Sequence, residues 1–201
     1  VSLISSAAFS QDLLQWRAHT SYRSTIGIEE DNSGKIWVST EGGIAVYQDT
    51  FLVKTMTVID GLSRLGGTSI EYDPITNSIF IGYVDGMIDM IDAQSYDVHQ
   101  IQDINRNTIF SSKRINKLFV SNELLFVATD FGVVEYDVNT LFVRNSYLKL
   151  GDFDTGITVN DLKKIGNQLY VATVQGIAFS ELDGNFEETE WSNYDKSSGL
   201  N

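Results

Sequence analysis

Few side chains in this 201-residue chain could carry chemistry, and they are scattered. Cysteine is absent, so no thiolate nucleophile, disulfide or zinc–thiolate site can be built. The two histidines are His19 and His99. Either could serve as a general base, but neither stands beside a serine elbow or at metal-ligand spacing. His19 reads as a local hydrogen-bonding or packing residue, and His99 falls in an outer strand. Carboxylates are plentiful. Asp152 and Asp154 lie in the loop Gly151-Asp152-Phe153-Asp154-Thr155-Gly156, whereas a calcium loop needs more oxygen ligands at regular spacing and an acid near its end. That loop is read as solvated. Asp31-Asn32-Ser33-Gly34 is a turn in which Asp31 is expected to cap its own hairpin. No catalytic residue, metal ligand or cofactor is assigned, and the binding residues are unknown from sequence.

The elements that hold these residues announce themselves by repetition. An aromatic is followed after three residues by Thr or Tyr, and after three more by Gly. The copies are Trp37-Thr40-Gly43, Phe80-Tyr83-Gly86, Phe126-Thr129-Gly132 and Tyr170-Thr173-Gly176. Their spacings of 43, 46 and 44 residues match the period of a four-stranded propeller blade. The expected fold is all-β: four blades of about 45 residues each in an incomplete ring, a fragment of a larger propeller.

One copy shows the grammar. Residues 67–73 alternate polar and apolar, as a half-buried strand does. A turn at 74–77 leads to a more uniformly apolar strand over 78–83, suited to burial on both faces. Val84-Asp85-Gly86 is the expected tight reversal, with glycine supplying a positive φ. Third and fourth strands are expected over 87–92 and 97–101. The other copies align, with strands at 25–29, 35–40 and 43–47, then 115–120, 124–129 and 132–136, then 159–164, 168–173 and 176–179. The marker aromatic is expected to wedge between adjacent blades. The Thr or Tyr hydroxyl is expected to pair with backbone near the reversal.

A second marker stands between blades. Asp60-Gly61-Leu62-Ser63 precedes the second blade, and Ser198-Gly199-Leu200-Asn201 recurs 138 residues later, where a fifth first strand is expected to begin. Terminal repeats need capping, so an open arc of blades is expected to leave a face uncovered.

Charge and composition narrow the partners. Lys and Arg number 14 against 27 Asp and Glu, a formal net charge of −13. Nucleic-acid affinity rests on Lys and Arg displacing counterions, so nucleic acid is not expected as a partner. The acidity serves solubility of a repetitive β surface. No run of 18 or more apolar residues occurs, so no helical membrane span is expected in this chain. Residues 1–10 read as the remnant of a signal peptide ending in Ala8-Phe9-Ser10, which leaves residues 11–201 as the partial propeller domain and predicts export.

The wording of the repeats resembles known families. Residues 30–44, from Glu30-Asp31 through Gly34-Lys35-Ile36-Trp37 to Thr40 and Gly43-Ile44, resemble the periplasmic propeller repeats of two-component regulators in Bacteroidetes. A longer likeness runs over residues 15–201. The opening Gln15-Trp16-Arg17-Ala18-His19-Thr20-Ser21-Tyr22 is similar to the start of the first propeller in the PorZ family of the type IX secretion system. So are Asp60-Gly61-Leu62-Ser63 with Ile70-Glu71-Tyr72-Asp73-Pro74, and Tyr83-Val84-Asp85-Gly86-Met87-Ile88-Asp89. Ala172-Thr173, Gly176-Ile177 and Trp191 extend it. The third blade departs by lacking the Asp-to-Gly turn. The resemblance implies a non-enzymatic scaffold at the periplasm or outer-membrane surface, acting in the attachment complex with protein partners and handling lipopolysaccharide. The alternative is a ligand-sensing periplasmic propeller of a hybrid two-component histidine kinase. Both are analogies of fold and wording.

Overall fold

The computed structural model describes residues 20–181 and 191–195, and in them the repeats become four antiparallel four-stranded sheets. Blade one holds β1 (Thr25–Glu30), β2 (Lys35–Thr40), β3 (Gly43–Gln48) and β4 (Phe51–Met56). Blade two holds β5 (Ser69–Asp73), β6 (Ser78–Gly82), β7 (Ile88–Asp92) and β8 (Val98–Ile101). Blade three holds β9 (Ile115–Ser121), β10 (Leu124–Thr129), β11 (Gly132–Asp137) and β12 (Val143–Tyr147). Blade four holds β13 (Val159–Ile165), β14 (Gln168–Thr173), β15 (Ile177–Glu181) and β16 (Ser192–Tyr194). Each sheet is a meander, with strands hydrogen-bonded in chain order. This is the propeller blade that the spacing predicts, and the four blades form an arc that does not close. Two short helical turns, Val58–Asp60 and Asp103–Arg106, sit in the connections between blades and were not expected. Residues 1–10, His19 and the second marker at 198–201 lie outside the described residues.

First strands of neighbouring blades run side by side, so β1, β5, β9 and β13 line the axis of the arc. Blades pack face to face, and each gap holds one apolar cluster. Trp37 of blade one shares a cluster with Ile70, Ile79, Ile81 and Ile91 of blade two. Phe80 meets Leu118, Leu125 and Val127 of blade three. Phe126 meets Leu162, Leu169 and Val171 of blade four. The first three marker aromatics are wedges between blades, as their repetition predicts. Each buried aromatic contributes about 2–3 kcal/mol, which explains why the position keeps its type.

The marker glycines divide into two kinds. Gly43, Gly132 and Gly176 have φ of 127°, 132° and 145°. A Cβ there would overlap the carbonyl oxygens of Met56, Tyr147 and Tyr194 on the outer strands. Gly86 differs. Trp37 pairs with Val46 and Phe126 with Glu135, nine residues on, but Phe80 pairs with Met90, ten residues on. One extra residue widens the reversal of blade two, so Met87 occupies the place of Gly43. The equal spacing in sequence conceals that shift, and the tight reversal expected at residues 84–86 is a wider turn closed by Tyr83 N–H donating to the Met87 carbonyl at 3.0 Å.

Among the described residues, two sheet faces at the ends of the arc lack a neighbour. Ile28 aligns with Ile70, Leu118 and Leu162, which are 3%, 0% and 3% exposed, yet Ile28 is 63% exposed. Leu52, opposite Tyr47 on the same face, is also exposed. At the other end Tyr170 stacks on Phe179 at 5.3 Å between ring centroids, and Phe179 on Tyr194 at 5.1 Å. These rings occupy the wedge face, which in the first three blades is covered by the next blade.

Candidate functional site

Alternation along a strand decides what faces the axis. Ile70, Leu118 and Leu162 point into the gaps between blades. Their neighbours alternate to the other side: Glu71 on β5, Lys117 and Phe119 on β9, Asp161 and Lys163 on β13, and Glu29 on β1, whereas Ser69 on β5 is buried against blade three. Glu29, Glu71, Lys117, Phe119, Asp161, Leu162 and Lys163 line an open cavity of about 540 Å³ beside the axis.

The charges in this channel interact. Glu71 accepts a hydrogen bond from the backbone N–H of Val120 at 3.1 Å, and Lys117 Nζ lies 3.9 Å from its other carboxylate oxygen. Two residues earlier on β5, the Ser69 hydroxyl accepts the N–H of Leu118 at 3.0 Å. Burial pushes the Glu71 carboxyl up to about 7, helped by the negative charge of Glu29 and opposed by the Val120 N–H, Lys117 and Lys163. Burial also raises Glu29, against the pull of Lys117. The channel thus presents both signs of charge beside one aromatic ring. No nucleophile–base pair faces it among the described residues.

A second polar cluster fixes a loop between blades. Thr57 caps the turn Val58–Asp60 through a capping box with Asp60, and Gly61 ends it with φ of 106°. Leu62 then drops into the core between blades one and two. Ser63 donates its N–H and hydroxyl to the fully buried Asp89 at 2.7 and 2.5 Å, and the Tyr83 hydroxyl donates to the same carboxylate at 2.7 Å. Burial raises the Asp89 carboxyl, opposed by the hydrogen bonds from Ser63 and Tyr83. Burial and the Asp89 charge push the Tyr83 phenol up. This explains the Asp60-Gly61-Leu62-Ser63 marker as a clamp of one blade on the next.

The marker hydroxyls behave as expected in three copies of four. Thr40, Thr129 and Thr173 donate to the carbonyls of Gly43, Gly132 and Gly176 at 2.8, 2.9 and 2.9 Å. Tyr83 reaches past the backbone to Asp89 instead, because the widened reversal removes the nearby carbonyl and a phenol is long enough to span the gap. Among the singled-out residues, Asp31 accepts the N–H groups of Ser33 and Lys35 at 2.8 and 3.0 Å and the Trp37 indole N–H at 2.9 Å. It caps its hairpin and also orients the wedge. Asp152 N–H donates to Asn193 at 2.7 Å, and Asp154 is bonded to Gln175, so their loop is tied to the end of blade four. His99 is exposed on β8. Among the described residues no group of three or more His, Cys, Asp or Glu side chains could hold a metal ion. None of the channel residues was singled out as a site by sequence. The signal that could have found them was the charge at alternate positions of each first strand.

Comparison with known proteins places this architecture. Residues 36–192 match the family model of the type IX secretion system PorZ N-terminal β-propeller domain. No curated protein matches the chain by sequence. PorZ of Porphyromonas gingivalis, described as an essential bacterial surface component of the type IX secretion system, superposes with a TM-score of 0.75 at 21% identity, over 90% of this chain and 24% of that one. The extracellular domain of a putative hybrid two-component system from B. thetaiotaomicron superposes with a TM-score of 0.71 at 19% identity, over 88% of this chain and 23% of that one. The computationally designed Ika8 protein gives 0.59 at 11% identity, over 85% of this chain and 49% of that one. The chain spans about a quarter of the length of the two bacterial proteins. It belongs to the PorZ N-terminal β-propeller family of the type IX secretion system.

Proposed function

We propose that this chain is part of a non-enzymatic scaffold of the type IX secretion attachment machinery, exported to the periplasm or outer-membrane surface. The observation that carries this reading is the family match, which runs from the second strand of blade one to the last strand of blade four. The geometry agrees: rigid blades locked by apolar wedges and a clamped loop offer surfaces for docking rather than a reactive centre. Its partners are proteins of the attachment complex, with lipopolysaccharide as a ligand. In the source bacterium, in-frame deletion of the coding region is expected to release cargo proteins from the cell surface into the medium or leave them unprocessed. Surface-attached cargo unchanged from the parent strain would reject the reading. Purified chain is expected to bind lipopolysaccharide from the same strain in a sedimentation assay; absence of binding would remove that ligand while leaving the scaffold role intact.

A second reading has its own support. The extracellular domain of the hybrid two-component system superposes nearly as well as PorZ, and residues 30–44 carry that repeat wording. Under it the chain senses a ligand, and deletion would abolish ligand-dependent transcription without disturbing surface cargo.

A further inference from the structure

The axial channel contains a joint that none of the repeats requires. In β9 the N–H groups of Leu118 and Val120 belong to alternate residues, on the strand edge that β10 does not use. An edge left this way carries unpaired donors. Side chains of blade two satisfy them: Ser69 takes Leu118 N–H at 3.0 Å and Glu71 takes Val120 N–H at 3.1 Å. The equivalent residues of blade three are Lys117 and Phe119, which cannot accept, and Leu162 N–H is bonded instead to its neighbour Asp161 at 2.9 Å. In blade one Gly27 has no side chain to offer, and Glu29, the counterpart of Glu71, accepts no N–H from β5. Among the described residues, only at the junction of blades two and three do first-strand side chains accept first-strand N–H groups of the next blade, whereas between blades three and four Asn116 Nδ2 donates to the Val159 carbonyl at 2.9 Å; one of the two acceptors is titratable.

The groups that face Glu71 are Glu29 from β1, Lys117 from β9, and Asp161 and Lys163 from β13, with Phe119 beside them. Lys117 is its ion-pair partner at 3.9 Å. We propose that Glu71 is a protonation-controlled joint between blades two and three: ionised, it holds Val120 N–H and Lys117 to blade two, and protonated, it releases Lys117 into the axial channel. A hydrogen bond to a carboxylate is roughly twice as strong as one to a neutral acid, so the stitch itself loosens on protonation. Of the five charges named, three are acidic and two basic; protonation of Glu71 brings the lining from a net single negative charge to neutrality. Burial of the carboxyl, which lifts it to about 7, places this change near neutral pH.

The test is an NMR titration of the isotopically labelled full chain between pH 5 and 9. The Glu71 carboxyl carbon and the Val120 amide proton are expected to titrate together with a midpoint near 7, and Val120 exchange protection, corrected for intrinsic rates, to fall about fivefold on acidification. Glu71→Gln should abolish the Val120 transition. Glu29→Gln should keep it with a lower midpoint, because a like charge is removed, and Lys117→Met should raise the midpoint. A Val120 amide that does not respond in the wild-type chain overturns the proposal, as does a transition that persists in Glu71→Gln. Midpoints unmoved by both neighbouring substitutions would overturn it too. The wild-type titration decides the matter even where Glu71→Gln does not fold.

Discussion

Asp89 has no exposed surface, three hydrogen-bond donors and a fixed carboxylate, so its chemistry allows little substitution. An amide at this position can accept through one oxygen only and would turn its N–H₂ toward a donor. Asp89→Asn is therefore expected to cost about 2–4 kcal/mol of unfolding free energy, measured by urea denaturation, through the stranded donors of Ser63 and Tyr83. The carboxylates also set opposing pH dependences. Backbone hydrogen bonds from Ser95 and Thr140 hold Asp92 and Asp137 below the ordinary range, and at Asp31 the bonds from Ser33, Trp37 and Lys35 outweigh burial with the same net effect. A depressed carboxyl stabilises the fold fully above its unfolded pKa of about 4, and that contribution is lost as pH falls below this value through the depressed folded one. Glu29, Glu71 and Asp89 are raised, so the native state binds more protons and stability falls as pH climbs toward 7. The urea midpoint is expected to peak in mildly acidic buffer and decline on both sides. Glu71→Gln is expected to flatten the alkaline limb between about pH 5 and 8. A midpoint that rises steadily to pH 8 would contradict this assignment.

At the scale of the element, the hairpin between the second and third strands shows what sequence could and could not reveal. Its glycine closes the reversal against the outer strand's carbonyl, so Gly132→Ala forces an L residue to φ of 132° and into the Tyr147 oxygen. The expected loss is about 2–4 kcal/mol in urea denaturation. Gly86→Ala is also expected to destabilise, at φ of 85°, but by pressing on the Ile104 side chain and the Asn105 backbone rather than on an outer-strand carbonyl. The period, the strand positions and the wedge aromatics were legible because each recurs at fixed spacing and answers to one physical need, burial between sheets. The extra residue in blade two was invisible because the spacing from Phe80 to Gly86 is unchanged while the pairing slips. The channel was hidden for another reason. Glu71 and Lys117 come from different blades, 46 residues apart and in different rows of the lining, and only the stacking of blades brings them together.

For the whole molecule, the uncovered ends are the features with the widest consequence. Three internal gaps bury the same positions that blade one leaves open at Ile28 and Leu52, and that blade four leaves open along Tyr170, Phe179 and Tyr194. Apolar sheet faces of this kind need a capping neighbour. The chain on its own is expected to bind a hydrophobic dye strongly, and replacing Tyr170 and Phe179 together by lysine should reduce that binding without altering far-ultraviolet circular dichroism. Unchanged dye binding would mean that something else covers the face. At this scale the scaffold reading is a statement about the entire polypeptide, since the chain spans about a quarter of PorZ. The most direct measurement is to read the complete polypeptide of the native protein from its source, by sequencing the open reading frame and weighing the mature product. The scaffold account predicts further propeller blades with no membrane-spanning helix. An apolar stretch of about 20 residues followed by histidine-kinase sequence would contradict it and make this propeller a sensor.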